Sequence, residues 1–197
     1  MKKNELKILD CTLRDGGYYN NWNFSTNLIN KYLKVMSDIK VDYVEIGFRS
    51  QEKKEFRGVC AYSTDEFLND LQIPKNLKIA VMINAAELIR DKSEKKNIIA
   101  LKTLFKKSKF SKIKLVRIAS HFSEIHKVIP IANKIKALGY KIAINLMQIS
   151  DRTNEEIKEF CDLAKKINIE TIYFADSTGS LDSDQTLRIT KNFRKYW

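Results

Sequence analysis

The sequence predicts an α/β protein of parallel βα units, the class of the (β/α)8 TIM barrel, with about six units present and the barrel incomplete. Three observations predict it. Six short, β-branched apolar runs alternate with stretches of helical hydrophobic spacing, as parallel strands joined by right-handed crossovers require. Each run carries its odd polar residues at or near its C-terminal end: Arg14 and Asp15, Glu45 and Arg49, Asn84, Arg117 and His121, Asn145, Asp176. That is the rim where the loops of an α/β barrel converge. A doubly wound open sheet would give the same alternation, but no Gly-x-Gly-x-x-Gly follows the first run. The barrel is favoured.

The elements follow in order. The first strand spans Lys7 to Leu13, and the loop Gly16 to Trp22 leads to a helix capped by Ser25 or Thr26. Leu28, Ile29, Tyr32, Leu33, Met36 and Ile39 recur on the inner face of that helix. Strand two is Val41 to Phe48, and a helix from Ser63 or Thr64 leads to strand three, Lys78 to Ile83. Residues 85–108 hold one or two helices and a lysine-rich turn. Strand four is Lys112 to Ala119. Its helix runs from about Glu124 to Leu138, after a Ser123 cap and up to Gly139, with Pro130 inside implying a kink or a later start. Strand five is Lys141 to Leu146, and a helix from Asn154 to Lys166 precedes strand six, Thr171 to Ala175. A last amphipathic helix, capped at Ser183, runs to about Phe193.

Composition narrows the function classes. At 197 residues, without a Pro/Gly/Ser-rich linker, residues 1–197 read as one domain with a substantial core. Hydrophobic residues make up 44% and charged residues 30%, as in ordinary soluble globular proteins. No apolar run approaches the roughly 20 residues of a membrane span, and Met1 to Glu5 run straight into a strand without a signal-peptide core. Cys11, Cys60 and Cys161 are odd in number and widely spaced, so free thiols in a reducing cytoplasm are expected rather than a zinc site. The net charge of +12 raises nucleic acid as a partner, but many of the lysines are spread along helices among glutamates, and no basic arm, zinc finger or RNP-like motif is present. A solvated lysine-rich face accounts for the charge, with a weak preference for anionic substrates.

The chemistry concentrates in Ile8 to Gly17. Arg14 and Asp15 at the mouth of a strand suit a site better than a core: Asp15 can bind a hard cation, and Arg14 can hold an anion or a developing oxyanion. From that dipeptide alone, a surface ion pair before a turn is the plainer alternative. The run Asp10-Cys11-Thr12-Leu13-Arg14-Asp15-Gly16 resembles the Asp-x-Thr-x-Arg-Asp-Gly that ends the first strand of the TIM-barrel metal-dependent aldolase and lyase superfamily. That superfamily includes 3-hydroxy-3-methylglutaryl-CoA lyase and 4-hydroxy-2-oxovalerate aldolase. The resemblance implies that Asp15 binds Mn2+ or Mg2+ and that Arg14 stabilises an enolate formed as a C–C bond breaks or forms next to a 2-oxo acid or acyl group. Glu45, in Glu45-Ile46-Gly47, matches a Glu-x-Gly that organises the site, for instance by pairing with the arginine. Without the resemblance it reads as a carboxylate satisfied by a neighbouring lysine.

The end of strand four, Arg117-Ile118-Ala119-Ser120-His121, is similar to the Arg-x-Ala-Thr-His of the hydroxy-oxovalerate aldolases. It implies that Arg117 and His121 face substrate, although a lone loop histidine also serves as a solvated cap. Asp176-Ser177-Thr178-Gly179 resembles the family's Asp-Ser-x-Gly near the substrate, the alternative being a polar turn. Asn145, at the end of strand five, is the remaining substrate-binding candidate. Tyr18 stands where the hydroxy-oxovalerate aldolases carry a proposed catalytic histidine. An ordinary phenol, with a pKa of about 10, would need strong perturbation to act as a base.

The family's other metal ligands, a His-x-His pair at the end of strand seven, have no counterpart: the two histidines are His121 and His126. The resemblance therefore covers the N-terminal three quarters of a barrel. The expectation is a fragment, or self-association, or another chain that supplies the missing strands, with weak or no activity for this chain alone. A non-catalytic truncated barrel that associates with a partner chain is the competing reading, and a basic nucleic-acid-binding domain the third.

Overall fold

A computed structural model describes residues 6–51, 55–91 and 93–197. The expectation for Met1 to Glu5 lies outside the described residues. The sheet has six strands in the order β1-β2-β3-β4-β5-β6: Leu9–Asp10, Tyr43–Phe48, Lys78–Asn84, Ile113–Ser120, Lys141–Leu146 and Thr171–Phe174. Sequence order equals spatial order, the topology of a barrel rather than of a doubly wound sheet. The chain divides into two compact units, Met1–Met82 with Lys106–Val116, and Ile83–Phe105 with Arg117–Trp197.

In the first unit β1 pairs in parallel with β2, Leu9 beside Tyr43 and Asp10 beside Val44. β2 pairs in parallel with β3, and the register shifts between Glu45 and Phe48. Such an irregularity re-aims side chains at a strand end. All six residues of β2 are buried, as expected for a parallel strand covered on both faces. Gly47 is required there: a Cβ would meet the Cys60 carbonyl oxygen at 1.8 Å. Helix α1 (Thr12–Gly16) follows β1, and α2 (Thr26–Asp38) and α3 (Asp65–Asp70) follow in turn. The side chains of Ser25 and Thr64 cap α2 and α3 by accepting from Leu28 N and Phe67 N, each at 3.2 Å. Ile29 and Leu33 are the fully buried residues of the α2 face, whereas Leu28 and Ile39 are exposed.

In the second unit β5 and β6 pair in parallel, from Ala143 beside Thr171 to Leu146 beside Phe174. Helices α4 (Ala85–Leu88), α5 (Glu94–Leu104), α6 (Ile125–Ala137), α7 (Asn154–Lys166) and α8 (Ser183–Tyr196) complete it. Ile125, Val128, Ala132 and Ile135 of α6, and Ile157, Phe160 and Ala164 of α7, are buried at alternating steps of three and four residues. Among the described residues no helix is long and apolar enough to cross a membrane.

Three expected boundaries are corrected. The strand expected from Lys7 to Leu13 ends at Asp10, and a helical turn begins two residues later. The cause is local: the Asp10 carboxylate accepts from Thr12 N and Thr12 Oγ1, both at 3.0 Å, which bends the chain out of the ladder. Helix α6 is led by His121 rather than Ser123, through a 3-10 turn over Phe122–Glu124, and the Glu124 carboxylate accepts from His121 N at 2.9 Å. Pro130 lies inside α6 without interrupting it. Finally, α8 is capped by Asp182, which accepts from Gln185 N at 2.7 Å, not by Ser183.

Candidate active site

The turn at Asp10 decides where the first unit presents its charges. By closing α1 directly after β1, it puts Arg14 and Asp15 on a helical turn packed against β2. Arg14 Nε donates to Glu45 Oε1 at 2.8 Å, and the guanidinium also pairs with Asp15 Oδ1. Glu45 has no solvent exposure and the Arg14 side chain little, while the Asp15 side chain is 56% exposed. The guanidinium lies 5.9 Å from the centre of the Phe48 ring. Burial works against the charge of Arg14, but Glu45 beside it, with Asp15, more than restores it and raises the Arg14 pKa. Arg14 is thus a fixed cation with a buried anchor and an exposed anionic neighbour.

Around Asp15 an open cavity of about 740 Å3 is lined by Asp10, Cys11, Thr12, Asp15, Tyr18 and Tyr19, among others. Tyr18 is 63% exposed and sets its ring edge against Trp22 and Phe48, with centroids 4.8 and 6.3 Å apart. Burial, with a bond to Asp15, pushes the Cys11 thiol up. Tyr32, from α2, donates its hydroxyl to Asp10, and burial followed by that bond raises its pKa. For a divalent cation the donor set is incomplete: among the described residues no three His, Cys, Asp or Glu side chains are grouped to hold one. Asp15, exposed and with a carboxylate oxygen's affinity for hard cations, fits as one ligand of such a set.

The second unit holds the other candidates. Asn145 Oδ1 accepts from Arg117 at 3.5 Å, and the Arg117 guanidinium lies 4.3 Å from the Tyr173 ring centre, so three successive strands contribute to one group in which Arg117 and Asn145 are buried and Tyr173 half-buried. Ser177 Oγ accepts from Gln148 N at 3.1 Å, and Gln148 holds a left-handed backbone with φ 52°. The Asp176 carboxylate accepts from Leu181 N at 2.9 Å and Ser180 N at 3.1 Å. Those backbone bonds, led by the one from Leu181, hold it below the usual carboxylate range. His121 is exposed and lines a cleft of about 210 Å3 with Phe122, Met147, Gln148 and Arg152. His126 is a surface partner of Glu159 at 2.7 Å.

Arg14, Asp15, Glu45 and Tyr18 are therefore brought together in one unit, and Arg117 with Asn145 in the other. Asp176 turns its carboxylate to its own loop, and His121 lines a separate cleft. Cys11, Trp22, Phe48 and Tyr173 were missed by sequence reasoning, because aromatic and thiol side chains beside charged ones carry no motif of their own. The signal at hand was the run Gly17-Tyr18-Tyr19-Asn20-Asn21-Trp22, whose spacing is explained only by the packing of Trp22 on Gly17.

A family model described as HMGL-like matches residues 5–196. Among solved structures, the chain is similar to the N-terminal domain of a protein assigned as an aldolase from Bacteroides vulgatus, at 30% identity and a TM-score of 0.78, over 97% of this chain and 61% of that one. It is similar in fold to the HMG-CoA lyase of Bacillus subtilis, at 12% identity and a TM-score of 0.72, over 98% of this chain and 65% of that one. It is also similar in fold to the carboxyl transferase domain of Rhizobium etli pyruvate carboxylase, at 12% identity and a TM-score of 0.71, over 100% of this chain and 34% of that one. The chain thus spans less than two thirds of each of these. No curated protein matches it. Its six βα units are those of a partial TIM barrel.

Proposed function

The chain belongs to the HMGL-like family, and on that premise we propose that it supplies the enolate-binding part of a carbon–carbon lyase or condensing enzyme. The observation that carries the reading is Arg14, a cation anchored at 2.8 Å on the fully buried Glu45 and set beside the exposed Asp15. A pre-oriented arginine of this kind stabilises an oxyanion that develops in the transition state without reorganising. Glu45 holds its orientation. Asp15 offers a carboxylate oxygen to Mn2+ or Mg2+, and such a cation, when bound, supplies Lewis-acid stabilisation to an enolate oxygen. Tyr18, at the mouth of the same cavity, is the group proposed to exchange a proton with the substrate.

For the second unit we propose that Arg117, with Asn145, holds a substrate carboxylate, and that His121, Asp176 and Ser177 line the path of substrate. The proposed substrate class is a 4-hydroxy-2-oxo acid. The support is the Arg117-Ile118-Ala119-Ser120-His121 run, close to the Arg-x-Ala-Thr-His of the hydroxy-oxovalerate aldolases. Residues 1–197 are read as the N-terminal three quarters of one catalytic domain that works in a reducing cytoplasm, in keeping with three free cysteines. With one carboxylate ligand of its own, the chain is weakly active or inactive until further ligands come from the rest of a longer protein, a second copy or another chain.

Calorimetric titration of manganese in the presence of oxalate, an enolate mimic, tests this with wild type and Asp15→Asn. The expected result is binding that the substitution abolishes. Binding indifferent to Asp15→Asn overturns the assignment of the ligand, and no binding in either favours a non-catalytic barrel segment.

A further inference from the structure

Of the loop from Gly17 to Trp22 only Tyr18 enters the chemistry proposed above, yet the backbone at the far end of the loop is strained. Asn21 and Trp22 are both left-handed, at φ 56° and 58°. An aromatic residue adopts that conformation only where its surroundings hold it there. The surroundings here are two glycines in close approach. A Cβ on Gly17 would lie 1.9 Å from the Trp22 ring, and a Cβ on Gly58 would lie 2.3 Å from the Trp22 carbonyl oxygen. Trp22 is consequently only 5% exposed, with the Arg57 guanidinium 5.2 Å from its ring centre.

What the strain achieves is a direct bond to the backbone of Arg14 and a contact relayed to its guanidinium by Phe48. Trp22 Nε1 donates to the Arg14 carbonyl oxygen at 2.8 Å, in the last turn of α1, where helical partners for carbonyls run out. The Trp22 ring meets Phe48 edge to face, with centroids 5.5 Å apart and planes at 84°. Phe48 in turn carries the Arg14 guanidinium at 5.9 Å. We propose that Trp22 is the positioning residue of Arg14, fixing its backbone through the indole N–H and its guanidinium through Phe48. The inference rests on the reading of Arg14 as the group that holds the anion. A Trp22 that merely filled the core would need its ring and not its N–H.

The test replaces Trp22 with benzothienylalanine, which keeps the shape of the ring and lacks the N–H donor, in a Trp197→Phe background so that only one position is labelled. Hydrogen exchange of the Arg14 Nε–H, followed by NMR and assigned by its loss in Arg14→Lys, is the readout. Loss of a buried hydrogen bond leads us to expect exchange about tenfold faster, with the β3 amides as protected as in wild type. Phe48→Leu removes the intervening ring and is expected to speed exchange severalfold. Unchanged Arg14 exchange in the benzothienyl protein overturns the proposal. Should that protein fail to fold, unchanged exchange in Phe48→Leu does so instead. Oxalate added to wild type separates the two claims: an Arg14 resonance that ignores it defeats the functional reading, while the exchange rates still decide the positioning role.

Discussion

Glu45 is a carboxylate without solvent exposure that accepts from the Nε–H of Arg14, 31 residues earlier in the chain. Removing Glu45 leaves Arg14 only the exposed Asp15 as counter-charge, and loss of a buried partner costs more than the pair contributes. We expect Glu45→Ala to lower unfolding free energy by about 3–5 kcal/mol in urea titrations, and Glu45→Gln, which keeps an acceptor, to cost less. Asp176 makes a different kind of prediction. Its backbone bonds hold its carboxyl below the ordinary range. A group whose folded pKa is depressed adds stability above its unfolded value of about 4 and loses it as pH falls through the folded value. The melting temperature of wild type should therefore exceed that of Asp176→Asn at pH 6, and the gap should close toward pH 3. A gap independent of pH would mean that the carboxylate's charge plays no part in holding the 178–181 turn. Both residues were singled out from the sequence because they end strands. The resemblance named Arg14 as the partner of Glu45, whereas the turn amides that hold Asp176 are named only by folding.

At the scale of elements, close approach governs the region around the site. β2 can reach the 3-10 turn Val59–Ala61 because Gly47 has no side chain, its Cβ position being 1.8 Å from a backbone oxygen that cannot rotate away. Gly47→Ala should accordingly destabilise the chain by about 3 kcal/mol or more, at the severe end for single substitutions, read as a lost or sharply lowered thermal transition. A mild effect would show that the turn can retreat. Helices α2 and α7 were legible in the sequence because their caps and periodicity agree: Ser25 and Thr153 each accept from the backbone N–H three residues on, at 3.2 Å. The first strand was not. Its apolar run continues through Leu13, and periodicity in so short a segment cannot distinguish strand from helical turn. The hydrogen bonds of the Asp10 side chain break the tie.

For the molecule as a whole, the net charge of +12 invites a nucleic-acid reading that its surface pairs argue against. Lys141 pairs with Glu170 and Lys158 with Asp162, each at 3.0 Å, and Lys96 with Asp91 at 3.3 Å. Exposed pairs of this kind add little stability, but they intersperse the two signs where a phosphate backbone would need a continuous basic track. We expect no retention of random-sequence duplex at about 0.15 M salt, where screening reaches about 8 Å. Binding with a steep inverse dependence on salt would revive that class.

Sequence alone determined the α/β class, five of the six strands to within a residue or two, and the Arg14–Asp15 pair. Those follow from hydrophobic period, cap chemistry and adjacency, all local in the chain. The resemblance implied that Glu45 pairs with Arg14, which it does at 2.8 Å; tertiary structure alone decided that Arg117 lies against Asn145 and Tyr173 and that Trp22 bonds the Arg14 carbonyl from a strained loop. Each of these joins residues from different segments at distances fixed by strand register and by the space glycines leave open. A one-residue change of register would reassign them all without altering the pattern of apolar and polar residues.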